Sequence, residues 1–250
     1  MSAEKIEKIK QPTPQVISEP GVSGYDIGFD VLLIVGRSGT GKTTISNRLE
    51  KRYDDGIRVI KIGDIIRRHR KTIADRNKEK SHPIIGVYRR KDIEDRAPDR
   101  LGEYEIGAKM RHGTAPIILE AKRAPLIARV VRERALENNQ TPPRVVTIYL
   151  TTEDPEIAYR RVYDREKKKG SKLSLERIRR KTIARDRYDV RRWKRTGKAF
   201  PNLHYEINPF DLESIEYDLV LPTDNLTAEE SEQKIHEWLI EKGKIVPKAA

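Results

Sequence analysis

Residues 36–43 read Gly-Arg-Ser-Gly-Thr-Gly-Lys-Thr, and they follow the largely apolar run Phe-Asp-Val-Leu-Leu-Ile-Val at residues 29–35. The stretch matches the pattern G-x-x-x-x-G-K-[ST] between a strand and a helix, which is the context that makes this pattern specific. Its glycines permit positive φ, so that successive backbone N–H groups converge on a phosphate at the start of the helix. The sequence therefore predicts a phosphate-binding loop.

Two side chains of this loop carry the predicted chemistry. Lys42 adds a cation that reaches the β and γ phosphates of a nucleotide, and the Thr43 hydroxyl is placed to ligate Mg²⁺. We therefore expect ATP and Mg²⁺ as cofactors, with Thr43 as the metal ligand. The predicted nucleotide-binding residues are Gly36, Arg37, Ser38, Gly39, Thr40, Gly41, Lys42, Thr43 and Thr44.

Strand and helix patterns alternate along the rest of the chain. Asp154 followed by Pro155, and Thr227 with Glu230, have the composition of helix starts. Besides the strand at 29–35, strands are predicted at 58–62, 116–120, 145–150 and 217–221, and helices at 43–52, 64–73, 92–110, 126–136, 155–168, 174–195 and 227–242. This alternation predicts an α/β fold of the P-loop NTPase type, in which a five-stranded parallel sheet is flanked by helices. Ligands are expected at the carboxyl ends of the strands.

Composition excludes several classes of function. There are no cysteines, which rules out disulfides, a thiol nucleophile and thiolate metal sites. No apolar run approaches the ~18 residues of a membrane span, and the N-terminus lacks a signal-peptide core. We expect a cytoplasmic monomer without membrane contact. The guanine-reading motif Asn-Lys-x-Asp of GTPases is absent, since the nearest string, at 77–80, lacks the Asp.

The net charge of +13 is concentrated in one segment. Residues 158–200 contain eighteen Lys and Arg against five Asp and Glu, whereas residues 201–250 contain four basic and eleven acidic residues. Such a basic segment forms a solvated helical face, or it binds the phosphates of nucleotides, or it binds a nucleic-acid backbone. The composition leaves these three interpretations open.

Five segments in order resemble the nucleoside monophosphate kinases, and most closely the cytidylate kinases in their short, archaeal-like form. Besides the loop, these are Ile-Gly-Asp-Ile-Ile-Arg at 62–67, Ile-Leu-Glu-Ala-Lys at 118–122, the strand and helix from 149 to 166, Arg-Asp-Arg-Tyr-Asp-Val-Arg-Arg at 185–192, and the closing strand and helix from 217. The similarity covers roughly residues 30–242, with gaps. It departs from the family at Ala121 and Lys122, where the family has Gly and Arg, and the planar fork of the arginine is lost.

The resemblance implies roles for residues outside the loop. Arg67 would hold the acceptor phosphate, and Arg161 and Arg165 would act with Lys42 as catalytic residues that close over the transferring group. The other implied substrate-binding residues are Asp64, Lys122, Arg185, Asp189 and Arg192. The resemblance also implies a kinase domain at 28–245, a monophosphate-binding insertion at 67–113 and a basic lid at 158–200. Residues 1–27 lie outside the resemblance, and their prolines, glycines and lack of apolar periodicity predict an extended N-terminal arm.

The resulting hypothesis is phosphoryl transfer from ATP to a nucleoside monophosphate, with CMP or dCMP as acceptor and UMP or AMP as the next choices. Small nucleotides would then be its partners. A nucleic-acid-binding P-loop protein is the second possibility. A third is a kinase of another small metabolite, since similar loops also serve shikimate or dephospho-coenzyme A.

Overall fold

The computed structural model describes residues 24–53, 56–64, 115–199, 208, 210–213 and 215–248, with side chains inside the long fourth helix described as far as residue 191. Within these ranges the strands are β1 Tyr25–Ile27, β2 Val31–Gly36, β3 Arg58–Lys61, β4 Ile117–Glu120, β5 Val145–Thr151, β6 Leu219–Pro222 and β7 Ile245–Pro247. The helices are α1 Lys42–Arg52, α2 Ala124–Glu137, α3 Pro155–Lys168, α4 Leu175–Ala199 and α5 Ala228–Glu241. The predicted helices at 64–73 and 92–110 fall largely or wholly outside the described residues.

The main sheet has the predicted five parallel strands, in the order β3-β4-β2-β5-β6. Every residue of β2 is buried, as expected for a central strand covered on both faces. Alternate β2 side chains enter two separate cores. One core lies against α2, and the other lies against α1 and α5. The α/β class and the flanked parallel sheet are therefore confirmed.

Helix starts follow the predicted local chemistry. The Asp154 side chain accepts a hydrogen bond from the Glu156 backbone N–H at 2.8 Å, and Pro155 occupies the first helical position of α3. Thr227 and Glu230 form the reciprocal capping box at the start of α5. These caps satisfy backbone donors that a helix start leaves unpaired.

Two element boundaries differ from the sequence prediction for identifiable reasons. Strand β6 begins at Leu219 rather than at 217, because the Asp218 carboxylate takes the place of a ladder acceptor and accepts from the Thr147 backbone N–H at 2.7 Å. Strand β2 begins at Val31, since Asp30 is engaged by Arg144 through both backbone and side-chain hydrogen bonds.

The stretch assigned to the N-terminal arm, 1–27, includes a strand at its end. Tyr25–Ile27 form β1, which pairs antiparallel with β7 in a second, two-stranded sheet. The Tyr25 ring packs edge-on against Tyr53 of the segment after α1 and against His236 of α5, with ring centroids 5.6 and 5.4 Å away. Folded structure therefore begins before residue 28.

None of the helices within the described ranges combines the length and the apolar composition of a bilayer-spanning segment.

Candidate active site

The carboxyl edge of the sheet borders a cavity of about 1310 Å³. The loop after the central strand β2 contributes residues 38–44 to its wall. Segments after β3 and β4 line it on one side of this loop, and segments after β5 and β6 line it on the other. The cavity thus lies where ligands bind in open parallel sheets.

The backbone of the loop depends on glycine at two tightly packed positions. Gly36 has φ +146°, and a Cβ there would lie 2.4 Å from the Leu150 carbonyl oxygen. Gly39 has φ +92°, and a Cβ there would lie 2.3 Å from the Ala158 carbonyl oxygen of α3. Both contacts are too short for any side chain, so glycine lets the loop pack on β5 and α3. Gly36 does not line the cavity, and its role is therefore one of packing.

Lys42 is the first residue of α1, and its ammonium group donates a 2.7 Å hydrogen bond to the Arg37 carbonyl oxygen. Desolvation lowers the pKa of Lys42 to about 8, the nearby Lys122 and Arg185 also lower it, and Glu120 and Asp186 oppose the shift. The negative charge of a bound phosphate would compensate the Lys42 ammonium group for the hydration that it loses in the folded protein. Lys42 is therefore placed where an anion is electrostatically favoured.

The Arg37 side chain lies outside the cavity wall. Its guanidinium carbon lies 5.4 Å from the centroid of the Phe210 ring, and it also hydrogen-bonds to Tyr149. Arg37 contributes to the loop through its carbonyl oxygen, which accepts from Lys42 and from Thr40.

Thr43 and Glu120 form a pair of hard oxygen ligands beside the loop. The Thr43 hydroxyl donates to Glu120 Oε1 at 2.9 Å, while Glu120 Oε2 is buried without a hydrogen-bond partner. Among the described residues no three His, Cys, Asp or Glu side chains cluster as a metal cage. A hydroxyl, one carboxylate and substrate phosphates suit Mg²⁺, which keeps several waters and rarely takes an all-protein shell. The residues present fit this ion.

Lys122 joins the end of β4 to helix α4. Its ammonium group contacts Asp186 Oδ1 at 3.0 Å and Asp189 Oδ2 at 2.5 Å. Both carboxylates are largely buried, so this contact is worth more than an exposed ion pair. The structure thus pairs two predicted substrate-binding residues, Lys122 and Asp189, with each other, and both still line the cavity.

The predicted catalytic arginines have different surroundings. Arg161 donates to the Thr223 hydroxyl at 2.9 Å, to the Thr223 carbonyl at 2.6 Å and to the Leu226 carbonyl at 3.4 Å. These bonds tie α3 to the loop after β6 and fix the guanidinium there. Arg165 is half exposed and contacts Glu166. Both arginines line the cavity, as their four-residue spacing predicts.

The remaining predicted residues divide into two groups. Asp64 and Arg185 line the cavity, on the segment after β3 and on α4. Arg67, the predicted monophosphate-binding insertion at 67–113 and the Arg192 side chain lie outside the described residues. The sequence analysis assigned no role to Glu120 or to Thr223. Glu120 could have been recognised from its position at the end of the strand beside β2. Thr223 lies in no recognisable motif.

We expect the affinity for ATP to fall as the pH rises above about 8. Below that pH the free protein already carries protonated Lys42, and binding requires no further proton. Above it the lowered pKa leaves lysine neutral, and the bound polyphosphate must draw in a proton, which costs up to about tenfold in affinity per pH unit. Titration calorimetry from pH 7 to 9.5, in two buffers of different ionisation enthalpy, measures both effects.

The matched control is Lys42→Arg, because guanidinium stays charged throughout this range. Identical pH profiles for the two proteins would contradict the assignment of the proton to Lys42.

Comparisons with known proteins support the fold. A family profile described as an AAA domain matches residues 32–184. The structure resembles that of an uncharacterized protein from Eubacterium ventriosum, with a TM-score of 0.51 and 12% identity over 84% of this chain and 98% of that one. No curated protein matches the sequence.

Two kinase structures are also similar in outline. A sugar kinase from Janibacter matches with a TM-score of 0.48 and 18% identity over 85% of this chain and 95% of that one. Shikimate kinase from Acinetobacter baumannii matches with a TM-score of 0.42 and 18% identity over 86% and 94%. At TM-scores below 0.5 these likenesses carry no argument about function. The P-loop NTPase fold is identified by three observations, which are the geometry of the loop, the family match and the order of the strands in the sheet.

Proposed function

The chain belongs to the AAA domain family, and from that membership and the geometry of its cavity we propose an ATP- and Mg²⁺-dependent kinase that phosphorylates a nucleoside monophosphate, CMP or dCMP. One observation carries the proposal. Lys42 lines the same cavity as Lys122 and Arg185, and the charges of Lys122, Arg185 and Asp186 act on its ammonium group. The phosphate-binding loop and the charged groups after β4 and on α4 therefore act on one point, as in-line transfer between two phosphates requires.

The order of the strands suggests where each substrate binds. The triphosphate would follow the backbone N–H groups of the loop, with its base on the β5 and β6 side, beside the hydrogen-bonded pair Arg161 and Thr223. The acceptor would occupy the β3 and β4 side, near Asp64, Lys122 and Arg185. Its phosphate would then face the γ-phosphate across Lys42.

The chain supplies positioning and charge to this reaction. Lys42, with Arg165 and Arg185, would stabilise the charge that spreads over the transferring group. Thr43 and Glu120 would hold Mg²⁺, which neutralises phosphate charge when it is bound. Closure of the cavity-lining part of the basic segment 158–200, which carries Arg161, Arg165 and Arg185, over both substrates would exclude water, so that ATP is not hydrolysed.

The carboxylate of Asp189 supports cytosine as the acceptor base. Cytosine presents an exocyclic amino donor that a carboxylate accepts, whereas uracil presents a carbonyl at that position. Asp189 is largely buried and lines the cavity, and its neighbour Tyr188 lines it as well. Lys122 already donates to Asp189 Oδ2, so the cytosine amino group would add a donor to this carboxylate, whereas the uracil carbonyl would bring an acceptor against its negative charge.

A coupled assay of ADP formation against CMP, dCMP, UMP, AMP, shikimate and gluconate tests the proposal. We expect the highest kcat/KM with CMP or dCMP, and we expect Asp189→Asn to lower the ratio of kcat/KM for CMP to that for UMP by about tenfold or more. A higher kcat/KM with shikimate or gluconate would contradict the proposal of a nucleotide acceptor and would indicate a kinase of another small metabolite.

The control is Asp186→Asn, because Asp186 contacts the same lysine as Asp189 but is not among the residues that line the cavity. An equal loss of CMP preference in both variants would indicate that only the link through Lys122 matters.

A further inference from the structure

Helix α4 presents an outer face on which nearly every charge is positive. Its exposed charged side chains on this face are Arg177, Arg180, Lys181, Arg187 and Arg191. At 1.5 Å per residue, they extend over about 21 Å along the helix. At 100° per residue they share one side, opposite the buried Ile178 and Thr182. The row is therefore a continuous cationic surface, which we call the outer row.

Within the described residues, the acidic side chains of α4 pair with one member of the outer row, Arg180, and leave the other four. Asp186 and Asp189 turn inward to Lys122. Glu176 contacts Arg179 and Arg180, and Arg179 is also held by Glu156 of α3. Among the described residues, Arg177, Lys181, Arg187 and Arg191 have no carboxylate partner. A solvated helical face ordinarily intersperses both signs of charge, whereas this helix separates them.

The proposed kinase reaction does not use this surface. Of the α4 residues that line the cavity, Arg185 and Asp189 lie on an adjacent side of the helix and Tyr188 lies between Arg177 and Lys181, and none of the five cations of the outer row contributes to the wall. The exposed Lys172 lies in the turn before α4 and adds to the positive charge near Arg177. The outer row is therefore a second surface for anionic ligands, beside the nucleotide site.

We propose that the outer row binds the phosphate backbone of single-stranded RNA. A row of cations, four of which have no carboxylate partner among the described residues, attracts phosphates and releases their counterions, which is the general source of affinity for nucleic acid. Tyr188 lies within the row, borders the cavity and is 48% exposed, so its ring is one on which an unpaired base can stack. An anionic membrane is a poorer partner, since a helix that lies on lipid needs an outward apolar face. The apolar side chains Ile178 and Val190 of α4 pack inward instead.

The test is fluorescence anisotropy with an end-labelled, 20-nucleotide single-stranded RNA of mixed sequence, from 50 to 200 mM KCl. The variant combines Arg177→Gln, Lys181→Gln and Arg187→Gln. Each lost phosphate contact on a single strand lowers the slope of log K against log salt by about 0.7, so we expect a slope lower by about 2 and an affinity at least tenfold weaker at 100 mM.

The matched control removes three exposed arginines from α2, with Arg129→Gln, Arg132→Gln and Arg134→Gln. It has the same net charge as the variant, and we expect its salt slope to stay within about 0.7 of the unmodified protein. Equal losses in both variants would show attraction by net charge alone and would overturn the proposal.

Two further arms identify the ligand. Equally tight binding to DNA of the same sequence would overturn the assignment to RNA, and tighter binding to phosphatidylserine vesicles would assign the row to a membrane. ADP formation with CMP is measured in the same variants. We expect the outer-row variant to lose RNA binding and to retain kinase activity. Because the two activities are measured separately, the failure of one proposal can be told from the failure of the other.

Discussion

Lys42→Ala is expected to lower kcat for ADP formation by about a hundredfold to a thousandfold, which is the range for loss of one preorganised charge at a transition state. The ammonium group lies at the start of α1, beside the loop whose N–H groups would hold the phosphates. Its replacement leaves that backbone in place, since Gly36 and Gly39 maintain the turn. Steady-state kinetics with ATP and CMP measure the change.

The fold should survive this substitution. Desolvation holds the pKa of Lys42 below that of a free lysine, so the charged side chain destabilises the folded state at neutral pH, and its removal should not lower Tm. Lys51→Ala, on the exposed far end of the same helix, is the control and should leave kcat unchanged. Full activity of Lys42→Ala with an unchanged Tm would refute the role of the loop in catalysis.

Glu120→Gln should raise the Mg²⁺ concentration needed for half-maximal activity and lower kcat by about 10- to 100-fold, as is typical when a metal site loses a ligand or its support. The amide retains an oxygen that can accept from Thr43, so the local structure is preserved. It removes the negative charge and places an amide group at the buried position of Oε2, which has no hydrogen-bond partner. Activity as a function of Mg²⁺ at fixed ATP measures both changes.

Glu133→Gln is the matched control. Glu133 lies on α2, where it contacts Arg129, and it is not part of the phosphate-binding loop. Its Mg²⁺ dependence should equal that of the unmodified protein. If Glu120→Gln showed the same unchanged dependence, the carboxylate would serve only to orient Thr43.

The sheet was predictable because its signals are local. Continuous apolar runs such as β2, and caps such as Asp154 with Pro155, depend on neighbours within a few residues. The glycine-rich loop was predictable for the same reason, since backbone N–H groups converge there whichever side chains surround them.

Side-chain partners across the fold were not predictable in the same way. Arg37 lies inside the loop motif, yet its guanidinium group lies over the Phe210 ring and hydrogen-bonds to Tyr149, and both residues are distant in sequence. Arg161 bonds to Thr223 and Leu226 through a contact that exists only when β5 and β6 are adjacent. The pairing of Lys122 with Asp186 and Asp189 likewise depends on where α4 lies. Helical spacing predicted a shared face but not the residue opposite to it.

The pairing of β1 with β7 has a consequence for how the chain folds during synthesis. Among the described residues, Tyr25–Ile27 pair with a single strand, Ile245–Pro247, and the Tyr25 ring contacts His236 of α5. At ~5–20 residues per second, translation takes roughly 10 to 45 s to pass from β1 to β7. During that interval the central strands can assemble on the ribosome, but β1 has no strand partner and a two-stranded ribbon is marginal by itself. Ribosome-bound chains stalled before residue 245 should therefore be cut by protease near Tyr25, and chains that extend past β7 and clear of the exit tunnel should resist.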